Sequence, residues 1–102
     1  MRIIQTLSNN IEDELEDARK YIELALEYKL DNPETANLFY KLSNEEMTHM
    51  DMLHKHVVEN ILNYKREHGE PPVAMQAVYD HMHKRFMDQA AKITSLQAMY
   101  KK

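Results

Sequence analysis

The sequence predicts an all-α fold, an antiparallel bundle of three long helices. Three observations predict it. The 102 residues include one Gly and three Pro, and all four fall within Asp31-Asn32-Pro33-Glu34 and His68-Gly69-Glu70-Pro71-Pro72. The stretches between these breaks are rich in Met, Leu, Ala, Glu and Lys, which favour helix. Within each stretch, apolar residues recur three and four positions apart, the period of a one-sided helix.

The first helix is expected over about residues 3–30. Its apolar stripe is Ile11, Leu15, Ala18, Ile22 and Ala25. Ser8-Asn9-Asn10 offers an alternative N-cap, with Glu12 three residues after Asn9. The second helix is expected over 33–66, with Asn32 as N-cap and Pro33 at the first helical position. Its stripe is Leu38, Phe39, Leu42, Glu46, His49, Met50, Leu53, Val57, Ile61 and Tyr64. Gly69 suits the residue past its end, with proline just beyond. The third helix is expected over 72–101, with Met75, Val78, Tyr79, Met82, Phe86, Ala90, Ile93, Leu96, Met99 and Tyr100 on one side. Short turns make sequential helices antiparallel, so the topology is up-down-up in one domain, 1–102.

Composition narrows the function classes. Thirteen Lys and Arg against seventeen Asp and Glu give a formal charge of −4, with both signs interspersed, which argues against nucleic acid as a partner. No apolar run is long enough to span a membrane. Cys is absent, so there is neither a disulfide framework nor a thiolate metal site. That suits a cytoplasmic location, as does the lack of a signal-peptide core in Met1-Arg2-Ile3-Ile4-Gln5.

Chemistry concentrates in Asn44-Glu45-Glu46-Met47-Thr48-His49. Glu46 and His49 are three apart, so they share a helix face. That face carries Leu42 and Leu53 one turn to either side, whereas Glu45 falls on the outside. A carboxylate and an imidazole therefore point where apolar side chains belong, and a metal ion is one way to offset that cost. Counted from the turn between Asp31 and Asn32, Glu14 and His49 are each about 17.5 residues away. At 1.5 Å per residue they are level, with Glu46 within roughly 5 Å in height. Glu14, Glu46 and His49 are thus candidate metal ligands, with Tyr21 two turns from Glu14 as a candidate hydrogen-bonding support. A dinuclear carboxylate centre takes about four carboxylates and two His. One chain supplies half, so a two-fold homodimer is expected to complete a four-helix site. Glu46 and its copy would bridge, and Glu14 and His49 would be terminal. A second cluster is conceivable at His56, Asp80 and His83, about 10–15 Å away along the bundle, where a polar surface network is the plainer reading.

Glu14, Tyr21, Glu46 and His49, with the 32-residue step from Glu14 to Glu46, resemble the ferritin-like superfamily, its rubrerythrin-like members above all. The resemblance covers residues 8–66. It implies iron, or manganese, in a dinuclear site, with ferroxidase activity or chemistry on a small oxidant such as oxygen or peroxide. Two departures stand out. A second Glu plus Glu-x-x-His is lacking at the required height, and so is a cysteine-rich tail. Half-size members that dimerise, such as encapsulated ferritins, are the nearest analogue. The competing readings are a metal-binding module without turnover, its site vestigial or passive, and a structural or adaptor bundle in which the same three side chains interact only with one another.

Overall fold

The computed structural model describes residues 2–102; Met1 lies outside them. Three helices follow in order: α1 (Arg2–Tyr28), α2 (Pro33–His68) and α3 (Val73–Lys101). They form a rod of 55 × 18 × 17 Å. None is long and apolar enough to cross a membrane.

Helix ends follow the local chemistry. Asn32 Oδ1 accepts a hydrogen bond from the Thr35 amide at 3.2 Å, and Pro33 begins α2. Gly69 has φ +79°, and its amide donates to the Lys65 carbonyl at 2.9 Å, closing α2 at His68, two residues beyond the expected end at 66. α1 starts at Arg2 and runs through Ser8-Asn9-Asn10 unbroken. Ser8 is buried in the core, and Asn10 Nδ2 donates to the Thr6 carbonyl at 3.1 Å.

The buried residues repeat every seven positions. On α1 they are Ser8, Leu15 and Ile22, interleaved with Ile11, Ala18 and Ala25. On α2 they are Ala36, Ser43, Met50 and Val57, and on α3 Phe86 and Ile93. A heptad seam is the signature of coiled-coil packing, with helices inclined only slightly to one another. Ala18, Ala25, Ala36 and Ser43 are all fully buried. Small side chains there let α1 and α2 approach closely. Ser43 Oγ donates to the Ala18 carbonyl at 2.7 Å and accepts from Gln97 Nε2 at 3.0 Å, so one hydroxyl touches all three helices.

α3 packs chiefly along α1 and meets α2 at few places. Its far end is held by an edge-on contact of Tyr40 with Tyr100, centroids 4.6 Å apart, flanked by Lys29 over the Tyr100 ring. Arg85 reaches Glu12 at 3.1 Å. Such a narrow seam leaves part of the α2 and α3 stripes outside: Leu38, Val78 and Met99 are 55%, 60% and 56% exposed.

Replacing Ser43 with Ala removes two hydrogen bonds, although the Ala18 carbonyl keeps its place in the helix. The expected cost is about 1–2 kcal/mol, read from urea unfolding. Ser43→Leu should cost more, because nothing at that height has room to yield.

Candidate metal centre

The heptad frame explains why three polar side chains converge. Leu7, Glu14, Tyr21 and Tyr28 form one row along α1, and Phe39, Glu46 and Leu53 form one along α2. Each row is apolar or aromatic except for its carboxylate. Glu14 lies one turn before Ala18, and Glu46 about one turn after Ser43. The Ser43–Ala18 contact therefore brings the two interruptions to the same height in the antiparallel pair. His49, three residues on from Glu46, completes the group.

His49 Nδ1 is 3.5 Å from Glu14 Oε2 and 3.8 Å from Glu46 Oε2. One donor atom from each residue lies within 4.8 Å of the others. The two carboxylate side chains are 25% and 19% exposed, against 52% for His49. Glu14 Oε2 is fully buried and has no hydrogen-bond partner; the nearby imidazole is within ion-pair range but outside hydrogen-bond geometry. A buried carboxylate oxygen without a partner typically costs about 1–3 kcal/mol or more, so this atom is short of a cation or a donor.

The group faces away from α3. Glu14 is two residues from Glu12, which meets Arg85, so it points about 160° round α1 from that contact. His49 is nine residues from Tyr40, which meets Tyr100, and points about 180° from it. α3 covers one side of the α1–α2 hairpin and the carboxylates occupy the other. Ile93 of α3 lies buried in the core with Leu15.

Tyr21 stacks on Phe39 at 6.1 Å, and Phe39 stacks in turn beside Tyr28 at 6.3 Å. Tyr21 is thus part of an aromatic ladder leading up to the carboxylates, and its contacts are those of packing. His56, Asp80 and His83 are not brought together. His56 Nδ1 lies 3.5 Å from Glu59, and Asp80 accepts from Gln76 Nε2 at 2.9 Å. His83 meets His54 instead, Nδ1 to Nε2 at 3.1 Å, and Tyr79 also stacks on it at 5.8 Å. His54 lies outside the cluster expected from the sequence, which took His56 in its place. Its spacing, four after Met50 and three before Val57, was the available signal.

No protein-family model, curated protein or solved structure matches the chain.

Burial holds the His54 pKa below its ordinary 6.5; His83 adds to the effect and Asp51 opposes it. Between that lowered value and about 6.5 the unfolded chain binds more protons than the folded one, so this contribution to stability is complete above pH 6.5 and declines as pH falls. His54→Gln is expected to flatten the rise in urea midpoint between about pH 5 and 7. An unchanged slope would contradict the assignment.

Without metal, the Glu14 carboxylate is a net burden. Glu14→Gln is therefore expected to leave metal-free stability unchanged or to raise it by up to about 1 kcal/mol, while lowering at least tenfold the affinity for any divalent ion that the group would hold. Calorimetric metal titration and thermal unfolding of the same samples measure both.

Proposed function

We propose that the chain is a carboxylate-type metalloprotein in which Glu14, Glu46 and His49 of two copies hold a pair of iron or manganese ions. The observation that carries this reading is the buried, partnerless Glu14 Oε2 beside Glu46 and His49. Oxygen and nitrogen donors of this kind suit hard to borderline divalent ions. Two ions held in such a site supply oxidation of ferrous iron, or reduction of oxygen or peroxide; the ferritin-like resemblance of the sequence points the same way.

The exposed side of the hairpin supports the two-fold arrangement. Leu38 lies within about 20° of the His49 direction on α2, and is 55% exposed. Tyr28 lies within about 40° of the Glu14 direction on α1, and is 38% exposed. A second hairpin laid on this side would cover the aromatic ladder and bring the donor set to four carboxylates and two His, the complement of di-metal helical bundles. In that role Glu14 and Glu46 supply negative charge in a half-buried setting, and the aromatic ladder excludes water from one end.

A second reading has its own support. A protonated His49 would lie 3.5 and 3.8 Å from two carboxylates and neutralise one of them with no metal present. The bundle would then be a structural or adaptor element.

Oxygen uptake on adding ferrous iron separates the two. The metalloprotein reading predicts uptake above the protein-free rate and its loss in Glu46→Ala, with far-ultraviolet circular dichroism showing intact helices. Uptake equal in both proteins, or absent from both, would favour the structural reading.

A further inference from the structure

Away from the carboxylate group, α2 and α3 carry the same short pattern. Asp51-Met52-Leu53-His54 lies on α2 and Asp80-His81-Met82-His83 on α3. The helices are antiparallel, so the two Asp-x-x-His pairs run in opposite senses and their histidines meet. His54 Nε2 and His83 Nδ1 are 3.1 Å apart, and both residues are half-buried. The rings are tilted by 28°, with centroids 5.0 Å apart.

We propose that His54 and His83 are a two-histidine binding site for a borderline divalent transition cation, Zn²⁺, Ni²⁺ or Cu²⁺, which clamps α3 to α2. Geometry is the first argument. Metal–imidazole bonds of about 2.0–2.1 Å place neighbouring nitrogen ligands about 2.9–3.4 Å apart, depending on the coordination angle. The observed 3.1 Å falls inside that span, so both nitrogens reach one ion with little movement. Imidazole suits these cations, with Cu²⁺ bound most tightly.

Proton chemistry is the second argument. As a hydrogen bond, one of the facing nitrogens carries the proton and the other its lone pair. As a metal site, both present lone pairs, and each neutral ring keeps its proton on the other nitrogen. One ring changes tautomer between the two states, and both rings turn slightly to aim their lone pairs at the ion. Burial of His54 favours the neutral ring that ligation needs.

The surroundings complete the argument. Asp51 and Asp80 lie one turn from His54 and His83 respectively, and both are exposed. Among the described residues, only Glu14, Glu46 and His49 form a group of three donors within 4.8 Å. The two aspartates therefore add negative potential, and water fills the remaining ligand positions. Tyr79 also stacks on His83, centroids 5.8 Å apart, and so restrains its ring. Contacts between α2 and α3 are otherwise few, so a bridging ion would strengthen the weakest seam of the bundle.

The site stands apart from the carboxylate group and is tested without it. The experiment uses the full chain carrying Glu14→Gln and Glu46→Gln, titrated with Zn²⁺ in a calorimeter. One Zn²⁺ per chain is expected, with a rise in Tm of at least about 5 °C at tenfold excess over Kd. Adding His54→Gln or His83→Gln should weaken binding at least tenfold. Long-range proton–nitrogen correlation spectra of the histidine rings need neither of these two further changes. There, Zn²⁺ should shift the ring nitrogens of His54 and His83 and leave those of His56, His68 and His81 in place. Unchanged affinity in the His54→Gln and His83→Gln proteins, or shifts at the exposed histidines alone, would overturn the proposal.

Discussion

The hydroxyl of Ser43 fixes the geometry on which everything else depends. It is fully buried, donates to the backbone of α1 and accepts from a side chain of α3. A buried hydroxyl without partners is costly, so sliding one helix past another loses both bonds as well as the fit of Ala18 against α2. Ala25 and Ala36, both fully buried, favour the same alignment by their small size. Register between α1 and α2 is thus set by polar and steric terms together. The site inherits that register: Glu14 and Glu46 lie about one turn beyond Ala18 and Ser43.

The site is where the sequence breaks its own pattern. Two heptad rows of large apolar and aromatic residues are each interrupted by a carboxylate, and the interruptions coincide in height. A packed protein would be more stable with Leu at either position, as replacements of buried ion pairs by apolar residues often show. Retaining both carboxylates, with one oxygen left without a hydrogen bond, makes sense if the stability lost is recovered when a cation binds. The side bearing the group is also the one that α3 leaves open. In the proposed reading, one hairpin with one covered side would be half of a four-helix site, and a copy of itself would be its simplest complement.

Much of the fold was legible in the sequence. The two breaks contain every Gly and Pro, the cap at Asn32 acts as its residue type suggests, and the α1 stripe is buried as spaced. Glu14, Glu46 and His49 were found by helical spacing and by counting from the turn, and the structure draws them together. The α2 seam was less legible. Two of its four buried positions are Ala36 and Ser43, which a search for large apolar residues passes over, although their seven-residue step was there to read. Counting could not tell His54 from His56, because two residues shift height by only about 3 Å but swing a side chain by roughly 160° round the helix. Nor could it tell which side of the hairpin α3 would cover. Glu12 and Tyr40 decide that through tertiary contacts with Arg85 and Tyr100.

The central claim is that two copies share one pair of ions. Anaerobic titration with ferrous iron, with bound iron and solution mass read from the same sample, addresses it most directly. The account predicts about one iron per chain and a shift to the mass of a dimer, both lost in Glu46→Ala. A chain that remains monomeric and free of iron at micromolar concentration would contradict it.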